Sequence, residues 1–316
     1  MARVDLRLGT RGSLLALTQS QWVADRLAGE GGLRVHLRRI RTTGDIVGDR
    51  PLAEFGGKGL FTKELDHALL AGEVDLAVHS MKDLPAELPE GLSIGAVPER
   101  EDPRDVLIGA LGREVSLQTL PEGARVGTGS LRRVALLRAL RPDLEVVALR
   151  GNVDTRIEKV DEGELDAVVL AAAGIRRLGW GERIGEYLDP GSWVPAPGQG
   201  ALAVVVRSDD REVARSLAGL DHAPSRAQTE AERELLRGLG ADCRMPVAAL
   251  GLSFGGGLRL RALVASPDGR RLVRGEGTGN ASDPRELGRR VAELLLERGA
   301  DVVLERGPGI EGWERE

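Results

Sequence analysis

Cationic and hydroxyl side chains recur in this sequence wherever an apolar run gives out. Arg11 and Ser13 follow the alternating run at 4–8, and Lys82 and Asp83 follow VDLAVHS. Thr128, Ser130, Arg132 and Arg133 follow RVG, and Arg150 and Arg156 follow EVVAL. Guanidinium groups pair bidentately with carboxylates, and helix starts offer unpaired N–H groups to anions. A single arginine of this kind is an ordinary surface residue. Four or five at successive strand ends point to one anionic ligand bearing several carboxylates or phosphates.

Only four of the 44 Lys and Arg residues are lysine, namely Lys58, Lys63, Lys82 and Lys159. Arginine is thus the default cation, and Lys58 in GGKG and Lys82 in SMKD stand out. Asp83 beside Lys82 reads in two ways, as a turn former in a surface ion pair or as a carboxylate held among cations. In the second reading it steadies a developing positive charge and passes protons. His79 belongs to the preceding strand and reads as structural. FGGKG lacks the spacing of a nucleotide phosphate loop. The single cysteine, Cys243, excludes an intrachain disulfide and a multi-cysteine metal site. It is either an apolar filler or a reactive thiol in the loop GLGADCRMPV, where Arg244 favours the thiolate.

These residues require elements to present them. The first hundred residues read as strand, loop, helix, strand, glycine-rich loops, helix and strand, the order of an α/β sheet. Leu14, Leu17, Val23 and Leu27 fall mostly on one helical face, with Ser13 placed to cap that helix. PEREDPRD (98–105) reads as a linker into a second α/β unit with the strand LDAVVLAAAG near its end. DPGSWVPAPGQG (189–200) is a second linker, and ALAVVVR after it returns to the first sheet. From about residue 229 a helix, short alternating strands and a final helix form a small α+β unit. The expected domains are 1–99 plus about 200–218, then 105–193, then about 222–316 with the cysteine. In such sheets ligands sit beyond the carboxyl ends of the strands, and a cleft between two such units is a favoured site.

Composition bounds the function. The 316 residues are too many for one ordinary core. A net charge of −5 argues against nucleic acid as a partner. No apolar run is long enough to span a bilayer, and MARVDLRLGTRGS does not read as a secretory signal. The expectation is a cytoplasmic monomer with a small-molecule substrate, no metal, and neither nucleic acid nor membrane as a partner.

TRGSLLAL, GGKGLFTKEL, DLAVHSMKDLP, EREDPRD, VGTGSLRR, LRGNVDTR, LAAAGIRRLG, PAPGQGAL and the cysteine loop, in this order, resemble the hydroxymethylbilane synthase (porphobilinogen deaminase) family over nearly the whole chain. The resemblance implies two α/β domains like those of type II periplasmic binding proteins and a small third α+β domain. It implies a dipyrromethane cofactor joined through a thioether to Cys243. It also implies head-to-tail addition of four porphobilinogen units, with loss of ammonia, to make hydroxymethylbilane. Asp83 matches the catalytic carboxylate, which would stabilise the cationic azafulvene left when ammonia departs. Arg11, Arg132, Arg133, Arg150, Arg156 and Arg177 match the groups that bind pyrrole acetates and propionates. Ser13, Gln19, Lys82, Thr128 and Ser130 match polar contacts, Gln199 a hinge-side glutamine, and Lys58 and Phe61 a loop that covers the site. Within this reading Arg132 and Arg133 serve the cofactor, and Arg11 and Arg156 the incoming substrate. Two departures are visible. Ala241-Asp242 replaces the family's frequent Gly-Gly before the cysteine, and Gly129 replaces a serine, removing one hydroxyl. The rival from another class is a non-catalytic anion-binding module of the periplasmic type; a phosphate-ester enzyme is a weaker third.

Overall fold

The computed structural model describes residues 5–42, 62–242 and 245–305. Strand β1 (Asp5–Thr10) leads into helix α1 (Leu14–Gly31), whose first turn is capped by Ser13 Oγ accepting from the Ala16 N–H at 3.3 Å. Val23, Ala24 and Leu27 bury against the sheet, while Leu14, grouped with them on periodicity, stays exposed in the first turn. β2 (Arg34–Arg39), α2 (Lys63–Leu70), β3 (Leu76–Ser80) and β4 (Leu92–Ala96) follow. A short 3-10 turn, Met81–Asp83, closes β3.

The second unit runs β5 (Asp105–Gly109), β6 (Arg125–Thr128), α3 (Leu131–Leu140), β7 (Glu145–Ala148), α4 (Val153–Asp161) and β8 (Ala167–Ala171). α5 (Ala172–Arg177) and β9 (Glu186–Tyr187) complete it. LDAVVLAAAG is therefore not strand throughout. The strand stops at Ala171 and the alanine run opens a helix, because alanine is the strongest helix former once the β-branched residues end. PEREDPRD is also shorter as a linker than its composition suggests, since Asp105 is the first residue of a fully buried strand.

Chain return is the organising feature. The chain crosses between the two sheets at about 98–104 and again at 189–200, and β10 (Leu202–Arg207) follows this second crossover into the first sheet, giving the order β2-β1-β3-β10-β4. The second sheet is β7-β6-β8-β5-β9. In each, three parallel strands are joined by one antiparallel strand that arrives directly from a crossover, β10 against β3 and β5 against β8. The start of an antiparallel strand lies at the carboxyl edge of its parallel neighbours. Leu202 pairs with Ser80, and Asp105 pairs with Ala171. Both crossovers thus end where the parallel strands present their side chains.

After α6 (Arg211–Ser216), α7 (Ala223–Gly238) leads to an antiparallel sheet of β11 (Val247–Phe254), β12 (Gly257–Ala265) and β13 (Leu272–Asn280), then α8 (Pro284–Glu297) and α9 (Ala300–Glu305). Alternation puts Ala248, Leu250, Leu263 and Ala265 into the core of the second unit, while Ala249, Leu258, Leu260 and Val264 pack with α7 and α8.

Candidate functional site

The residues singled out at strand ends converge on the edge where the crossovers arrive. Arg11 leaves β1, Lys82 and Asp83 leave β3, Thr128 and Ser130 leave β6, and Arg150 leaves β7. Gln19 on α1 donates from Nε2 to Ser80 Oγ at 3.2 Å, which ties the helix to the strand end that carries Lys82. Thr128 is fully buried, and its Oγ1 accepts from the Ser130 N–H at 3.2 Å. The Ser130 hydroxyl, at the start of α3, makes no capping bond of its own.

Gln199 sits at the centre, in the second crossover. Its Oε1 accepts from Lys82 Nζ at 3.4 Å and from Arg133 Nη2 at 3.5 Å, so one amide touches cations of both α/β units. Its Nε2 donates to the Pro103 carbonyl and to Asp105 Oδ1, each at 2.8 Å. The backbone on either side is held left-handed at Gly198 (φ 74°) and Gly200 (φ 86°). A Cβ on Gly200 would come within 2.3 Å of the Glu101 carbonyl oxygen. Arg177 donates to the Gly200 carbonyl at 2.7 Å, so this arginine also braces the crossover.

Arg132 and Arg133 are 3% and 5% exposed, and both are ion-paired with Asp105, at 2.7 Å each. Arg132 also donates to the Val194 carbonyl, and Arg133 to the Val169 carbonyl. Burial opposes the charge on Asp105, but the two guanidinium groups outweigh it and hold its carboxyl well below the usual range. Asp105 lies in the segment whose composition is that of a linker, where no role is expected of it. Glu232 of α7, equally unexpected, is a fully buried carboxylate that pairs with Arg100 at 2.6 Å and accepts from the Gly198 and Gly251 N–H groups. A carboxylate opening the apolar strand DVLIG was the only signal for Asp105.

The electrostatics around these strand ends are unbalanced toward positive charge. Lys82 is pushed down to about 8, first by burial of its ammonium and then by Arg133, against the opposing pull of Asp83 and Asp105. Arg156, which donates to the Gly151 carbonyl at 2.8 Å, is pushed down to about 10 by burial and by Arg133, with Asp83 opposing. Asp83 is exposed at the end of its 3-10 turn. The buried Arg132 Nε has no partner among the described residues. Partly desolvated cations that depress one another, with an orphaned guanidinium N–H among them, fit a ligand carrying several carboxylates. His79, buried on β3 and pushed down to about 4 by burial and then by Arg11, is neutral near neutral pH and brings no further charge.

Lys58, Phe61, Cys243 and Arg244 lie outside the described residues. Around the cysteine, Gly240 takes the left-handed turn (φ 59°). No described non-glycine residue has positive φ, so Ala241 and Asp242 are accommodated without the conformation that a Gly-Gly pair would favour. At the other departure, a Cβ on Gly129 would lie 2.6 Å from the Leu149 carbonyl oxygen, leaving no room for serine in this backbone.

Residues 6–215 match the family model described as porphobilinogen deaminase, dipyromethane cofactor binding domain, and residues 227–297 match that of the porphobilinogen deaminase C-terminal domain. The chain is 52% identical over 301 residues to the porphobilinogen deaminase of Syntrophus aciditrophicus, covering 95% of this chain and 98% of that one. It is 52% identical over 305 residues to that of Desulforudis audaxviator, covering 96% and 98%. Among solved structures it is similar to the periplasmic VFT2 domain of Bordetella pertussis BvgS, at 20% identity and a TM-score of 0.41 over 68% of this chain and 86% of that one. It is also similar to the methionine binding protein MetQ, at 12% identity and a TM-score of 0.42 over 67% and 89%.

Proposed function

The chain belongs to the porphobilinogen deaminase family, and from that premise we propose that the cleft between its two α/β units is the catalytic site, with Asp83 as the catalytic carboxylate and Cys243 as the point of cofactor attachment. The activity is that of a transferase of porphyrin biosynthesis. It joins four porphobilinogen molecules head to tail, with loss of ammonia, into hydroxymethylbilane on a dipyrromethane primer. A non-catalytic anion-binding role is set aside by the same membership. The observation that carries the site assignment is the excess of partly desolvated cations around an exposed Asp83.

Dipyrromethane, when bound, would supply the pyrrole carbon to which the first unit is joined, and each later unit would join the one before it. The side chains of this protein supply the rest. Arg11, Lys82 and Arg150 at the strand ends and Arg156 on α4 hold acetate and propionate groups, helped by Ser13, Thr128 and Ser130. Arg132 and Arg133, shared with Asp105, bind on the cofactor side. Arg177, Gln19 and Gln199 keep strand ends and crossover in place, and Lys58 and Phe61 cover the cleft. Loss of ammonia from porphobilinogen leaves a cation. Asp83 is the carboxylate placed to steady it and to accept the pyrrole proton.

The sheets support a division into 1–99 with about 200–218, 105–193, and about 222–316. A lone thiol that must stay reduced to take up a cofactor suits a reducing compartment, so we place the protein in the cytoplasm. We also propose that it acts as a monomer. Intact mass spectrometry of the purified protein tests the attachment. The wild type should be heavier than its chain by two linked pyrrole units, and Cys243→Ala should show the bare mass and no turnover. A bare, fully active wild type would refute it.

A further inference from the structure

We propose that Asp105 is a positioning residue of this site: its buried carboxylate orients Arg132 and Arg133, cancels one of their two charges, and sets the place of Gln199 between the two α/β units. The inference rests on the cleft being the catalytic site. Asp105 is fully buried and accepts five hydrogen bonds from four side chains. These come from Arg132 Nη2 (2.7 Å), Arg133 Nε (3.2 Å) and Nη2 (2.7 Å), Trp193 Nε1 (2.7 Å) and Gln199 Nε2 (2.8 Å). The donors come from the start of α3 and from the second crossover, while Asp105 itself ends the first crossover. One carboxylate therefore gathers both chain crossings and the arginine pair.

Stability alone does not call for such a cluster. A buried charged triad is often no more stable than apolar side chains of the same volume. What the cluster does is fix direction. With Arg133 held by Asp105 along one edge and by the Val169 carbonyl, and Arg132 held by one bond to Asp105 and one to the Val194 carbonyl, neither arginine can swing toward the ligand to form a private ion pair. Two arginines and one aspartate leave one net positive charge, suited to one ligand carboxylate at a time. Through Gln199 Oε1 the arrangement reaches Lys82 in the first unit. A lengthening polycarboxylate has to be released and regripped, and a pair whose charge is half cancelled in advance allows that where two bare arginines would clamp it.

The test uses the cofactor-loaded enzyme, with loading measured by intact mass so that rates are expressed per loaded molecule. Asp105→Asn removes the charge and retains the shape. Turnover per loaded molecule should fall about tenfold or more, the scale of losing hydrogen bonds to a charged group. Lys82 is faced by Asp83, Asp105, Arg132 and Arg133, so loss of the Asp105 charge should also move the alkaline limb of the pH–rate profile to lower pH. A role confined to stability would change the loaded fraction and leave that limb in place. Trp193→Phe keeps the carboxylate and removes one donor. Turnover per loaded molecule should fall about threefold, as for one ordinary hydrogen bond, with the limb unmoved. This variant decides the matter if Asp105→Asn does not yield soluble protein. Wild-type turnover and an unmoved limb in Asp105→Asn, or wild-type turnover in Trp193→Phe, overturns the proposal. A wild type without any pyrrole adduct would instead refute the site assignment on which it rests.

Discussion

Lys82 and His79 are three residues apart, and burial pushes both toward their neutral forms, with different consequences. Lys82 pushed down to about 8 is charged below that pH and loses its proton above it. If its ammonium holds a substrate carboxylate, kcat/KM should decline as pH rises through about 8, and Lys82→Met should lower the plateau and abolish that decline. A pH profile identical in Lys82→Met and wild type would remove lysine from the binding set. His79 is held near 4 when folded, against an ordinary value of 6.5. The unfolded chain binds that proton first as pH falls, so the stabilisation is complete above 6.5 and is lost progressively toward 4, by up to about 3 kcal/mol. Urea unfolding at pH 7 and pH 5 should show the loss, and His79→Asn should reduce it. Residues of this kind were legible in the sequence because lysine is scarce and because hydroxyls and cations cluster where apolar runs stop. Asp105 was not legible. Its neighbours DPRD have the composition of a linker, and the partners that make it matter lie 27 to 94 residues away in sequence.

The elements were readable where hydrophobic period and a breaker agreed. α1, α3 and β10 lie where alternation, helical spacing and glycine or proline punctuation predict them. The boundary inside LDAVVLAAAG was not readable, because no breaker separates β8 from α5 and the only signal is a change from β-branched residues to alanine. Crossover geometry was visible as Pro-Gly-Gln-Gly but its rigidity was not, since that depends on the Glu101 carbonyl packed against Gly200. Gly200→Ala therefore meets both a positive φ and a backbone clash, and should destabilise the protein by about 1–3 kcal/mol or more. Thermal unfolding measures this. A transition within a degree of wild type would mean that the crossover yields to a methyl group, and that Gln199 is not rigidly placed.

At the scale of the molecule, three sheets meet at the crossovers. The third unit is tied to them by Glu232, whose carboxylate holds Arg100 of the first crossover and the Gly198 N–H of the second. Breaking such a buried pair typically costs about 3–5 kcal/mol, so Glu232→Gln should unfold at markedly lower denaturant and load less cofactor. Turnover itself rests on the negative charge of Asp83, set among the cations of the cleft. Single-turnover mass spectrometry of cofactor-loaded Asp83→Asn, supplied with preformed tetrapyrrole if it cannot assemble its own primer, tests it most directly. The expected result is a folded, loaded protein that adds pyrrole units at least about a hundredfold more slowly than wild type, the usual scale for removing a catalytic acid–base group. Asp83→Glu should retain a small rate and accumulate a ladder of masses one pyrrole apart. Elongation of Asp83→Asn at the wild-type rate would contradict the account.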